Sequence, residues 1–249
     1  MENVNLLWTG GWDSTFRLLQ LSEKKVEINL FYFIDRKRKS TPIEIKKMKE
    51  ILMRISELKH TKAKINDIIY IEVEKIKNEM KNQKITDSSR YLVKKYRIGT
   101  QYEWFALFCN YNEFDMEIGI EKPLSTVGDA IFGEGGSLLE IKEKTFQDRL
   151  KVDISFKNEI YYLMKNFIFP LTKLTKKDME KISREKGWIE IMKLTWFCHQ
   201  PINGKPCGYC NPCLDAMKYG MSWRMPLISK IRYYLIYPVK KVYKLIKSF

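Results

Sequence analysis

Four of the five cysteines crowd into one short stretch: Cys198, Cys207, Cys210 and Cys213 follow a C-x8-C-x2-C-x2-C pattern. Four thiolates at this spacing suit tetrahedral Zn2+, and a shell closed by four sulfurs holds a chain together rather than catalysing. Gly208 and Pro212 fall within the knuckles, where the backbone must turn tightly around an ion. A C-x2-C-x2-C run also occurs in iron–sulfur ferredoxins. Here the fourth cysteine lies upstream and no proline follows Cys213, which favours zinc. His199 reads as a neighbour of the ligands or a residue turned toward substrate, and His60 as a solvated residue at a charged helix end. Cys109, ending the apolar run Phe105-Ala106-Leu107-Phe108-Cys109, reads as a small buried hydrophobe.

A second constellation lies near the start, in Trp8-Thr9-Gly10-Gly11-Trp12-Asp13-Ser14-Thr15. Two glycines let backbone N–H groups approach an anion, and a helix that follows adds its positive N-terminal end. Thr9, Ser14 and Thr15 add hydroxyls. Asp13 repels a phosphate unless a cation lies between them, which points to Mg2+; alternatively Asp13 caps the helix, and a Gly-Gly pair is also compatible with a plain tight turn. The segment is neither G-x-x-x-x-G-K-[ST] nor G-x-G-x-x-G.

These residues need elements to position them. Val4–Trp8 and Glu27–Ile34 are apolar runs that read as buried strands, with a helix between them carrying Phe16, Leu18, Leu19 and Leu21. Thr41-Pro42-Ile43-Glu44 reads as an N-cap, a first-turn proline and a capping box opening a helix to about Leu58. Further strands are expected at Ile68–Val73 and Met116–Ile120 and ending at Phe167–Leu171, with a helix over Tyr102–Asn110. Thr175-Lys176-Lys177-Asp178 reads as a second capping box, opening a helix to about Lys186. Residues 121–150 read only as a loop near the site. Strands alternating with helices predict a parallel α/β sheet of Rossmann-like type, with ligands beyond the carboxyl ends of its strands.

The composition supports one large domain with an appendage: 249 residues, 45% hydrophobic, with a net charge of +15. No apolar run reaches the ~20 residues that span a bilayer. Met1-Glu2-Asn3 opens without the pattern of a secretory signal, so a cytoplasmic protein is expected. Seven of the bases, and no acid, lie between Met221 and Phe249. There Val239, Val242, Tyr243 and Ile246 fall at helical spacing among Lys240, Lys241, Lys244 and Lys247. That tail could dock on an anionic membrane or an acidic partner, or pack its apolar stripe on its own domain or a dimer mate. Pro226 and Pro238 are expected to break it into pieces. The division is thus 1–220 and 221–249. With the charge concentrated there, a nucleic-acid partner is not favoured.

The first loop resembles the S-G-G-x-D-S loop of the PP-loop ATP pyrophosphatases, with Thr9 in the first Ser position. Together with Thr195-Trp196-x-Cys198 and the cysteines that follow, it resembles the 7-cyano-7-deazaguanine synthase (QueC-type) family, over residues 6–214. The resemblance implies an adenine nucleotide alpha hydrolase type of fold with a C-terminal zinc segment, and a ligase splitting ATP into AMP and pyrophosphate. It implies adenylation of 7-carboxy-7-deazaguanine and attack by ammonia to reach an amide and then a nitrile. It also implies ATP, Mg2+ and Zn2+, and a homodimer. Thr9, Gly10, Gly11, Asp13, Ser14 and Thr15 would hold the ATP phosphates, with Asp13, Ser14 and Lys176 nearest the chemistry. Lys176 enters through Pro170-Leu171-x4-Lys176, which resembles the family's P-L-x4-K segment; a solvated first-turn lysine is the alternative. Cys198, Cys207, Cys210 and Cys213 would hold zinc. Arg97 would meet the substrate carboxylate or a phosphate.

The chain also departs from that family. Asp35-Arg36-Lys37-Arg38 replaces D-Y-G-Q, Leu214-Asp215-Ala216-Met217 lacks the usual arginine, and 121–136 lacks the usual substrate loop. These departures and the tail fit a relative that hands the activated acyl group to a protein amine, as is thought of similar proteins in bacterial antiviral operons. Other readings are a different amidating or thiolating PP-loop enzyme, and a zinc-stabilised binding module without catalysis. Thiolation normally needs a reactive, exposed cysteine, and the only cysteine outside the zinc set is Cys109; the binding module would leave an intact phosphate loop idle.

Overall fold

The computed structural model describes residues 1–143, 145–153, 155 and 157–246. In chain order β1 (Glu2–Leu7) leads to α1 (Trp12–Ser22), β2 (Val26–Ile34), α2 (Thr41–Ser56) and β3 (Lys64–Glu72). Three helices, α3 (Val73–Glu79), α4 (Gln83–Tyr96) and α5 (Gln101–Tyr111), carry the chain to β4 (Met116–Glu117). Then come α6 (Ser125–Gly133), β5 (Leu138–Glu140), β6 (Leu150–Val152), α7 (Glu159–Met164) and β7 (Phe167–Ile168). The last helices are α8 (Lys176–Glu185), α9 (Ile189–Lys193), α10 (Asn211–Lys218) and α11 (Leu227–Ile246).

The main sheet has the order β3-β2-β1-β4-β7, with every pairing parallel. Both faces are covered, which is why β1 and β2 read as nearly continuous apolar runs. Val4, Leu6, Ile28 and Leu30 face a layer containing Phe16, Leu19, Met48, Met179 and the four cysteines. Leu7, Phe31 and Phe33 face the other layer, with Phe105, Phe108 and Leu163. The chain builds outward from β1 to β3, then returns across β1 to lay down β4. That reversal opens a crevice between β1 and β4 at their carboxyl ends, the place where open α/β sheets bind ligands.

Several local expectations change. The Thr175–Asp178 capping box forms as expected, each partner holding the other's backbone N–H. The one at Thr41 does not: Ser40 is the N-cap without a side-chain bond. Glu44 is buried instead, accepting from the Tyr32 hydroxyl at 2.7 Å and Arg38 Nη2 at 3.2 Å. The 121–150 stretch is not a plain loop but contains α6 and the antiparallel β5–β6 hairpin. Pro238 lies inside one continuous α11 rather than ending a piece. A proline removes one backbone bond and bends a helix without necessarily stopping it. The side chains of Val239, Lys240, Lys241, Val242, Tyr243, Lys244 and Ile246, and all of Lys247, lie outside the described residues. Among the described residues, no helix is long and apolar enough to cross a membrane.

A buried ion network joins the hairpin region to the sheet. Glu117, 1% exposed on β4, accepts from Arg17 at 2.7 and 3.0 Å and from Arg149 Nε at 2.6 Å. Arg17 also pairs with Asp148, and Arg149 with Glu2 and Glu143. The Phe146 ring lies against both guanidiniums. Burial alone would raise the Glu117 carboxyl, but the two arginines outweigh it and hold it below the usual range. Breaking a buried pair leaves an uncompensated charge. Glu117→Gln should therefore lower the unfolding free energy in urea by about 3 kcal/mol. Because the carboxyl is depressed in the folded state, its contribution is present above the ordinary value of ~4.3 and is lost as pH falls through the folded value. The variant should lack that part of the acid-side loss of stability.

Candidate active site at the carboxyl ends of the strands

The loop between β1 and α1 is held from three directions. Gly10 has φ +65, and a Cβ there would lie 2.7 Å from Met48 Cγ, so α2 presses on the turn and only glycine fits. The Gly10 carbonyl accepts from the Trp196 N–H at 2.9 Å, tying the loop to the segment before Cys198. The Thr9 N–H donates to Ser14 Oγ at 3.3 Å. The N-cap of α1 is Gly11, with no side-chain cap, so Asp13 is not the helix cap. Thr15 is fully buried and its hydroxyl accepts from Trp8 Nε1 at 3.1 Å. Thr15 thus braces the turn and does not line the cavity described next.

That cavity, of about 1110 Å³, opens over the loop. Thr9, Gly11, Asp13 and Ser14 line it together with Lys176, from the first turn of α8. Lys176 Nζ lies 2.8 and 2.9 Å from the Asp13 carboxylate oxygens and 2.7 Å from Glu121 Oε1. Burial would depress this ammonium, but Asp13 and Glu121 outweigh burial and raise it. Glu121 is itself raised, by burial first and by the Asp13 charge second. It was absent from the expected site residues, although its place just beyond the carboxyl end of β4 is a usable signal.

Arg224 is a second residue not expected. It belongs to a short 3-10 turn, Ser222–Arg224, and lines the cavity. Its guanidinium lies 4.9 Å from the Trp12 ring centroid and 4.6 Å from that of Phe197. Nη2 donates to the Thr195 carbonyl at 2.9 Å and to Thr195 Oγ1 at 2.6 Å. Burial depresses it to about 10, an effect partly offset by Asp13. Among the described residues no carboxylate pairs with it. Arg97 is not brought to this site: it is exposed at the αL C-cap of α4, and Thr100, Gln101 and Tyr102 line the cavity instead.

The four cysteine Sγ atoms lie within 4.8 Å of one another. Contacts of 3.5 Å (Cys210–Cys213), 3.8 Å (Cys198–Cys210) and 3.9 Å (Cys207–Cys213) bracket the ~3.8 Å edge of a tetrahedron with 2.3 Å Zn–S bonds. Backbone N–H groups of Cys207, Tyr209 and Cys210 point at sulfur, at 3.1 to 3.4 Å. The donor set therefore fits a metal such as zinc, with all four residues as ligands. His199 lies outside the sulfur cluster and lines the cavity; burial and Arg38 lower its imidazole.

The fold is a parallel α/β sheet with a glycine turn at its strand-order reversal, and the pocket there holds a cation, Arg224, that has no carboxylate partner among the described residues. Residues 144–219 match the family of the queuosine biosynthesis protein QueC, a span holding Lys176 and all four cysteines. The match, over less than a third of the chain, makes that segment similar to the QueC family and supports an ATP-dependent PP-loop enzyme of that general kind. No curated protein matches the chain.

Metal analysis of the purified protein should give one zinc per chain and no visible absorption; a coloured preparation would point to iron and sulfur. Cys213→Ala should leave zinc substoichiometric. It should also weaken ATP binding, although no cysteine lies in the phosphate loop, because Trp196 fixes Gly10 from the metal side.

Proposed function

We propose that the protein adenylates 7-carboxy-7-deazaguanine and then forms a C–N bond at the activated carbon. The observation that carries this reading is the convergence of Asp13 and Glu121 on Lys176 in the cavity that Thr9, Gly11 and Ser14 also line. A carboxylate oxygen is a poor leaving group, and joining it to AMP makes it a good one. The substrate carboxylate attacks the α-phosphorus of ATP, the α–β P–O bond breaks, and pyrophosphate leaves. Ammonia or an amine then attacks the acyl carbon, AMP departs with the bonding pair, and the nitrogen loses a proton to water. In the nitrile-forming version the amide oxygen is adenylated in turn, and loss of AMP and the amide protons gives the nitrile.

In this reading the backbone of Gly11 and the hydroxyls of Thr9 and Ser14 hold the phosphates, and Lys176 turns from its carboxylates to the leaving pyrophosphate. Asp13 and Glu121 form a two-carboxylate set suited to Mg2+, which when bound supplies charge neutralisation between acid and phosphate. Arg224 receives the substrate carboxylate: it is enclosed, short of a carboxylate partner and stacked between rings. Trp12, Tyr102, Trp104 and Phe197 supply flat apolar wall for a bicyclic base.

Incubation with Mg-ATP and 7-carboxy-7-deazaguanine should release AMP and pyrophosphate, dependent on the acid; ADP and phosphate would overturn the reading. Asp13→Ala and Lys176→Ala should abolish turnover. Arg224→Gln should raise KM for the acid at least ~tenfold and leave KM for ATP nearly unchanged. Mass spectrometry with and without ammonium separates the acceptors: a free amide or nitrile identifies ammonia, and an added mass on a co-encoded protein identifies a protein amine.

A further inference from the structure

The base of α11 packs on the domain through its polar side. Ser229, fully buried, donates from Oγ to the Pro206 carbonyl. Gly208, in the first cysteine knuckle, has φ +92, and a Cβ there would meet the Ser229 carbonyl at 2.2 Å and Arg232 Cβ at 3.2 Å. The apolar side points the other way. Leu227 is 73% exposed, Tyr234 67% and Leu235 69%, with Ile228 and Ile231 also exposed. At 100° per residue these five positions share one arc of the helix, opposite or flanking Ser229 and Arg232. The sequence keeps the same register in Val239, Val242, Leu245 and Ile246, all within the helix.

We infer that α11 is a docking helix for an anionic lipid surface, lying in the plane of the membrane with this stripe inserted among the headgroups. Charge selects the occupant. From Leu227 to Phe249 there are six bases and no acid. A second copy on the same face would bring like charges together, whereas acidic headgroups neutralise them. A helix of 20 residues extends ~30 Å along such a surface. The stripe is only one side of the helix, which is consistent with lying on a bilayer rather than crossing it.

The full zinc-loaded chain should be mixed with sucrose-loaded vesicles of phosphatidylcholine containing a quarter phosphatidylglycerol, or of phosphatidylcholine alone, and sedimented. Binding to the anionic vesicles should exceed binding to the neutral ones at least ~tenfold, and should weaken with added salt. Ile231→Glu/Leu235→Glu should reduce it at least ~tenfold with zinc content and far-UV dichroism unchanged. If that double variant fails to fold, Leu235→Gln alone should give a smaller loss in the same direction. Failure to bind anionic vesicles overturns the inference, as does a folded variant that binds as well as the parent, since charge alone would then explain the contact. A dimer that does not bind vesicles and that the double variant splits would assign the face to a second copy and overturn it too.

Discussion

The hydrogen bond from the Trp196 N–H to the Gly10 carbonyl joins two parts of the chain that are far apart in sequence, and the site depends on it. Gly10 is pinched between that bond and Met48 of α2, which leaves the turn no room to shift. Trp196 is placed in its turn by the cysteine cluster two residues on, where its indole N–H donates to the Cys198 carbonyl at 2.7 Å. Arg224 grips the Thr195 carbonyl from the opposite side. The sulfur cluster therefore sets the shape of the Gly10-Gly11 turn through the Trp196 backbone and its indole ring. A closed four-sulfur shell serves this purpose well because it is rigid and chemically inert.

The electrostatics of the cavity follow from the same crowding. Lys176 pairs with both Asp13 and Glu121 in a partly desolvated place, where each charge is felt more strongly than in water. In the proposed reaction a chain of phosphates entering that space would force an exchange of partners, since the ammonium cannot serve carboxylates and phosphates equally. Arg224 is differently situated: its partners are a carbonyl, a hydroxyl and two ring faces, none of which cancels its charge. A cation kept without a counter-charge is expensive to bury. The cavity therefore favours an anion at that point.

The sheet was legible because β1 and β2 are apolar on both faces, and the Thr175 capping box because its two bonds are local. Tertiary demands hid the rest. Glu44 has the right spacing for a capping box, but Tyr32 and Arg38 draw its carboxylate into the domain. The strands β4 and β7 are two residues each, and β5 and β6 three, too short for a periodic pattern. Thr15 has the same chemistry as Ser14, yet one position along a helix turns its hydroxyl to Trp8 instead of the cavity. Arg97 enters the expected site only through the family resemblance. A left-handed backbone at that residue ends α4 there and leaves its side chain outside.

Arg224 shows why the tail is more than an appendage. The bases from Met221 onward look like one group in the sequence, but the short turn before α11 separates them physically. Arg224 faces the cavity, while the Lys240 backbone is roughly 20 Å of helix rise beyond Leu227. Screening at physiological salt acts over ~8 Å, so the distal bases contribute little to holding an anion at Arg224. Even so, Trp223 packs edge-on to Trp12 with ring centroids 6.0 Å apart, and Gly208 seats Ser229 on the cysteine knuckle. The start of α11 is thus fixed to both the phosphate loop and the sulfur cluster. A force that reorients this helix must act on the wall of the cavity, because no slack segment lies between them.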